Sequence, residues 1–415
     1  MSLRRAETTM EIQFLGGATE VGRLGMLLRT GPDMALFDYG MLPHDPPAYP
    51  MKAPPVDRLF VSHAHLDHSG MVPWICGRSE TEVILTPPTA DVADLLQEDS
   101  LKIANLEGFE SPYDASDIQA TRRSSRVLDF GDIVEMDSME ITLHSAGHIP
   151  GATMFEINGS QTMLFTGDLH TLTTDLVFGA RPVSCDTLII EATYAGRNHP
   201  DRLKSEYEFL EKIRKVNSRG GIAIVPSFAV GRTQDVLLTL ARGKFEVWLD
   251  GMGKTVNRIY LDYPEYLRSA KKLRHAIGKV RVRTERTSRE ALQGDVIVTT
   301  SGMLDGGPVL RYIEAIRNDP RSAILLTGFQ VEGTNGRRLV DEGAIEIKGA
   351  TVRPKCEWQK FDFSAHAGHD DLVRFIEACD PKRVVLMHGD HRELLAEALE
   401  GREVLLPVEG QWYTL

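Results

Sequence analysis

The chain has 415 residues, a net charge of −12, 42% hydrophobic residues and 26% charged ones, the proportions of a globular protein of two or three domains. The acidic balance argues against nonspecific coating of nucleic acid, which needs a basic surface. No apolar run reaches the ~20 residues that span a bilayer, so no membrane is expected among the partners.

The first ten residues carry basic side chains with no apolar stretch behind them, unlike a secretory leader, and Met10 could serve as an alternative start. Cys76, Cys185, Cys356 and Cys379 are scattered and form no Cys-x-x-Cys pair, which fits a reducing, cytoplasmic setting. Residues 11–17 read as a strand with a glycine turn, followed by strands near 26–28 and 34–37. The last of these ends at Asp38, an acid directly after an apolar run.

Arg58-Leu59-Phe60-Val61 reads as a buried strand that feeds Ser62-His63-Ala64-His65-Leu66-Asp67-His68-Ser69-Gly70. A helix is expected over 67–76. Three histidines and an aspartate stand within six positions, with no cysteine among them. Imidazoles and carboxylates are the ligands of open, catalytic metal sites, whereas closed structural sites are rich in cysteine. Four donors this close exceed the need of one ion with a free position and point to two metals side by side.

A helix is expected over 89–105. Strand 141–145 then runs into His144-Ser145-Ala146-Gly147-His148, strand 162–165 ends in Thr166-Gly167-Asp168, and Leu188-Ile189-Ile190 ends in Glu191. From about residue 195 the pattern becomes strand alternating with helix. Unbroken apolar runs at 222–225, 246–249, 296–298 and 323–326 indicate a parallel sheet covered on both faces. Loops at the carboxyl ends of such strands are where ligands bind. Gly251-Met252-Gly253-Lys254-Thr255 ends like a phosphate-binding P-loop, but Trp248 stands where that motif needs glycine. In the tail, Phe363-Ser364-Ala365-His366-Ala367-Gly368-His369 precedes a helix over 370–379, and a strand at 383–387 ends in His388-Gly389.

His63-Ala64-His65-Leu66-Asp67-His68 resembles the signature of the metallo-β-lactamase fold. With Ser62 before it and Ser69-Gly70 after it, the stretch is similar to the β-CASP nucleases, and closer to their cleavage-and-polyadenylation-factor (CPSF) type than to RNase J. Residues 226–234, 301–307 and 328–334 resemble further β-CASP motifs, and Glu191, His366 and His388 match the motifs that family calls A, B and C.

The resemblance covers roughly the whole chain. It implies an α/β protein: a metallo-β-lactamase αββα sandwich over 1–194 and 351–415, with a β-CASP domain inserted at 195–350. It also implies a short type without RNA-binding KH domains, in which Gly22-Arg23-Leu24-Gly25 is a turn.

What it implies for the site is specific. His63, His65, His148 and Asp168 would hold one zinc ion. Asp67, His68, His388 and the shared Asp168 would hold a second. His-carboxylate sites also accept manganese. Asp38 would orient the metal site, and His366, held by Glu191, would protonate the leaving oxygen. His144 reads as a neighbour and His369 as a bystander.

The implied activity is hydrolysis of single-stranded RNA, internally or from the 5′ end. Ser227, Arg232, Lys254, Ser301, Arg337 and Arg338 are the candidates for RNA contacts. A homodimer, or assembly with other RNA-processing proteins, is compatible with the resemblance. Two rival readings remain: a thioester or lactam hydrolase on the same scaffold, and a non-catalytic scaffold subunit.

Overall fold

Strand Met10–Gly16 buries Met10, Ile12 and Phe14 on one face, the alternation expected of a strand at the wall of a core. In the computed structural model, which describes residues 9–43 and 46–415, this strand belongs to a seven-stranded sheet. The reading of the first eight residues as something other than a leader lies outside the described part. A second seven-stranded sheet faces the first. The shared core joins Phe37 and Phe60 of the first sheet to Phe155 and Phe165 of the second. Their ring centroids lie 5.1 to 5.7 Å apart, in stacked, tilted and edge-on pairs.

The outer face of the first sheet carries Leu27, Leu36, Leu59 and Val83, covered by Val72 and Ile75 of a short helix. Tail strand Arg383–Met387 lies parallel to Thr187–Glu191, and Trp412–Thr414 pairs antiparallel with the first strand. The chain therefore leaves this body and returns to it. No described helix is long and apolar enough to cross a membrane.

The chain folds as two compact units. The first comprises the chain up to Thr173, Gly179–Asn198 and His366–Leu415. The second comprises Thr174–Phe178 and His199–Ala365. The second unit holds a six-stranded sheet whose pairs are all parallel. Its strands Ala223–Pro226, Val296–Thr299 and Ala323–Leu326 are wholly buried, as unbroken apolar runs require. The sheet extends to Glu357–Lys360, a strand that alternates half-buried and exposed residues and so carries no apolar run.

The expected helix over 67–76 is two short helices, Leu66–Ser69 and Val72–Cys76. The chain bends between them because Pro73 starts a new helix better than it continues an old one. All four cysteines are buried and free.

Candidate metal centre

The histidine turn is held by backbone. Tyr39 N–H donates to the His68 carbonyl, Met41 N–H to Leu66 and Leu24 N–H to Asp67, each at 2.8 Å. A Cβ on Gly40 would lie 1.7 Å from the Asp67 carbonyl oxygen, so only glycine allows the two stretches to approach this closely. Pinned in this way, the turn aims its side chains at a fixed point.

The donors gather in two clusters, all within the first unit. In the first, His65 Nδ1 lies 3.0 Å from His63 Nε2 and 3.2 Å from His148 Nε2. Asp168 Oδ2 lies 3.5 Å from His63 Nε2 and 3.6 Å from His148 Nε2. Ligands of a tetrahedral ion with bonds of ~2.0–2.1 Å stand about 3.3 Å apart, so these separations suit a small divalent cation.

In the second cluster, Asp67 Oδ2 is 3.8 Å from His68 Nε2 and 3.6 Å from His388 Nε2. Asp168 Oδ1 is 3.2 Å from His68 Nε2 and 3.4 Å from His388 Nδ1. Asp168 thus presents one oxygen to each cluster. Its Oδ1 and the Nε2 of His68 are fully buried, yet neither has a hydrogen-bond partner among the described residues. Orphaned buried donors and acceptors are rare in native structures. Two of them converging with other ligands suit a cation, and the donor set fits the metal ions that the resemblance implies.

The charges agree. Burial works against a charged His68, but Asp168, Asp38 and Asp67 outweigh it and lift the imidazole well above its usual range. Burial likewise opposes the Asp168 carboxylate, yet the surrounding histidines hold it well below the usual carboxylate range. His63 goes the other way: burial first, then His68, pushes it well down, leaving it the neutral ring that a ligand must be.

Asp38 backs the histidine turn. Its carboxylate accepts from Ser62 N–H at 2.6 Å and from Ser62 Oγ at 2.7 Å, and it lies 2.7 Å from His68 Nδ1. Asp38 and His388 both hold left-handed backbone, with φ of 56° and 52°. Such strain in non-glycine residues persists where the surroundings over-determine it, and it clusters at functional sites. Asp38→Asn is expected to lower metal affinity by ~10–100-fold, because the amide cannot replace the carboxylate that fixes the His68 tautomer. Competition with a chromophoric chelator measures it, and unchanged affinity would remove Asp38 from the site.

His366 Nδ1 lies 3.0 Å from Glu191 Oε1, and its Nε2 points toward Asp168 Oδ2 at 3.8 Å. Glu191 is itself fixed by Leu169 N–H at 2.6 Å. His144 is apart from the clusters, paired with Glu156 at 2.7 Å.

The six RNA-contact candidates all belong to the second unit. Ser227 is buried after strand Ala223–Pro226, and Ser301 follows Val296–Thr299. Arg232 is 9% exposed and faces Asp235 at 3.7 Å. Lys254 meets Asp250 at 3.3 Å, Arg337 meets Asp341 at 2.6 Å and Arg338 meets Glu346 at 3.1 Å. Sequence reasoning gave no role to Ser62, whose hydroxyl reaches Asp38. Its place directly before the first histidine was the available signal.

Comparison with known proteins supports the same lineage. Residues 27–208 match the metallo-β-lactamase superfamily, 234–339 the Beta-Casp domain, and 351–407 the Zn-dependent metallo-hydrolase RNA specificity domain. The chain is 36% identical over 399 residues to "Probable RNase MJ4" of Methanocaldococcus jannaschii, covering 92% of this chain and 93% of that one. It is 32% identical over 423 residues to "RNase aCSPSF2" of Saccharolobus solfataricus, covering 97% and 85%. It is 33% identical over 442 residues to "Transcription termination factor FttA" of M. jannaschii, covering 94% and 68%. A crystal structure of an Enterococcus faecalis protein described as of unknown function shares the fold, with TM-score 0.62, 15% identity, and coverage of 98% and 100%. With relatives of that identity along nearly its whole length, and both domain types in the expected order, the chain belongs to the β-CASP family of metallo-β-lactamase-fold proteins.

Proposed function

We propose that the chain is a two-zinc ribonuclease that hydrolyses phosphodiester bonds of single-stranded RNA in RNA processing or decay. The observation that carries the reading is Asp168, which offers one oxygen to each of two His-carboxylate clusters while His366 stands beside it. The names of the ribonuclease relatives point the same way.

Bound zinc ions would supply charge for the phosphoryl oxygens and acidify water near neutrality. His63, His65, His148 and Asp168 would hold one, and Asp67, His68, His388 and Asp168 the other. The protein's own groups then divide the work. Asp38 and Ser62 orient His68. Glu191 accepts from Nδ1 of His366 and keeps that imidazole charged, leaving its Nε2 proton for the departing ribose oxygen.

A single purified sample tests the assignment. Two zinc ions per chain and cleavage of single-stranded RNA are expected. Metal without cleavage of any RNA would leave the lactam or thioester reading, and neither metal nor cleavage would leave the scaffold reading. An RNA labelled at each end, run beside a circular RNA, separates internal from end-directed cutting.

RNA affinity should also fall steeply with salt and differ little between unrelated sequences, because phosphate contacts position a strand without reading it. Arg337 and Arg338 remain available to phosphate. Their present partners form exposed ion pairs, worth only ~0–1 kcal/mol, that a phosphate can displace. Titration of several RNAs with Asp67→Asn protein at two salt concentrations measures this. A thousandfold preference for one sequence, insensitive to salt, would refute it.

A further inference from the structure

The two stretches that carry Glu191 and His366 stay side by side beyond that pair. Gly196 N–H donates to His369 Nδ1 at 3.0 Å. His369 N–H donates to the Arg197 carbonyl at 2.9 Å, and Asp370 N–H to Asn198 Oδ1 at 2.9 Å. The last two donors lie in the first turn of helix His369–Cys379, whose N-cap is Gly368 and offers no side chain. The first N–H groups of a helix have no partner within it, and here the 196–198 stretch supplies acceptors from outside. Gly196 has φ 73°, a left-handed backbone conformation that favours glycine. On the other side of His366, Ala367 N–H donates to the Leu169 carbonyl at 2.7 Å, and Leu169 N–H holds Glu191. The His366 backbone is irregular, lying between strand Glu357–Lys360 and the helix that starts at His369. Its position therefore depends on these ties.

We propose that His369 and Asn198 are positioning residues for His366, fastening its stretch to 196–198 so that the imidazole stays against Glu191 and the metal clusters. His369 is then no bystander: its ring nitrogen is one of the fasteners. The inference rests on the reading of His366 as proton donor to the leaving oxygen.

The test uses the zinc-loaded full chain and two substrates, a single-stranded RNA and bis(p-nitrophenyl) phosphate. Nitrophenolate departs without a proton, so its release does not need the acid. His369→Leu is expected to slow RNA cleavage by ~10–100-fold through kcat, the scale of a 1 Å misplacement. KM, bound zinc and Tm should stay put, and the nitrophenyl diester should react within about twofold of wild type. His369→Asn should restore cleavage, because its side-chain oxygen can accept the Gly196 N–H as Nδ1 does. Asn198→Ala should repeat the His369→Leu pattern more weakly, and it probes the same fastening if the leucine variant folds poorly.

Equal slowing of both substrates, loss of zinc, no rescue by asparagine, or wild-type RNA cleavage in both variants would overturn the proposal. Two controls show which level failed. If wild-type protein hydrolyses neither diester, the nuclease reading falls and takes this one with it. If His366→Ala slows both substrates alike, the proton-donor role falls first.

Discussion

Asp168→Asn is expected to abolish RNA cleavage and to empty both clusters of metal, while Asp67→Asn abolishes cleavage but keeps about one ion per chain. The difference follows from geometry. Asp168 Oδ2 faces His63 and His148, and Oδ1 faces His68 and His388. Asparagine keeps the size but loses the charge that both ions would share. Asp67 Oδ2 faces His68 and His388 of the second cluster, so its loss leaves the His63, His65, His148 and Asp168 cluster intact. A bound metal contributes several kcal/mol of transition-state stabilisation, so losing a two-ion clamp should slow cleavage by ~10³-fold or more. Metal per chain and single-turnover cleavage are measured on the same preparations, with near-UV circular dichroism to confirm the fold. Substantial cleavage by Asp67→Asn protein carrying one ion would sink the two-ion reading. Loss of only one ion from Asp168→Asn would show that the carboxylate is not shared.

Much of this centre was legible in the sequence because its donors are dense and each follows an apolar strand. His63, His65, Asp67 and His68 share one turn, and Asp168, Glu191 and His388 each end a strand or the turn after it. A strand end is where a buried backbone can present a polar group to a site, so the pattern carries its own explanation. The parallel sheet of the second unit was visible for a similar reason, since strands buried on both faces leave unbroken apolar runs.

What stayed hidden lacks a local signature. Edge strands such as Ser125–Val127 and Glu357–Lys360 have mostly exposed or half-buried residues and no apolar run. The break after Ser69 depends on Pro73 and on the Met71 N–H leaving to bond Tyr39. The ties of His369 join residues more than 170 positions apart, through one ring nitrogen and one helix start. Lys254, Arg337 and Arg338 look like free cations in sequence, but each has an acidic partner in the fold.

The last expected result concerns the proton. His366→Ala should slow RNA cleavage by ~10²–10⁴, the contribution of a general acid, with zinc content unchanged. Burial alone would discharge the imidazole, but Glu191 and then Asp168 and Asp67 outweigh it and raise its pKa to about 9. The sign is that of a raised histidine: the charged form persists at neutral pH and is lost as pH rises through the folded-state value. Cleavage should therefore decline on the alkaline side. Cations on Asp168 and Asp67 would cancel much of their share of the lift, which leaves Glu191 as the partner that keeps the proton in place. Glu191→Gln should accordingly move the alkaline limb of kcat to lower pH and slow cleavage at pH 8 more than at pH 6. Hydrolysis rates for the wild type and both variants from pH 5 to 10, with zinc assayed at each end of the range, decide the matter. Zinc lost from His366→Ala would make His366 a ligand, and an alkaline limb unmoved in Glu191→Gln would assign that titration to another group.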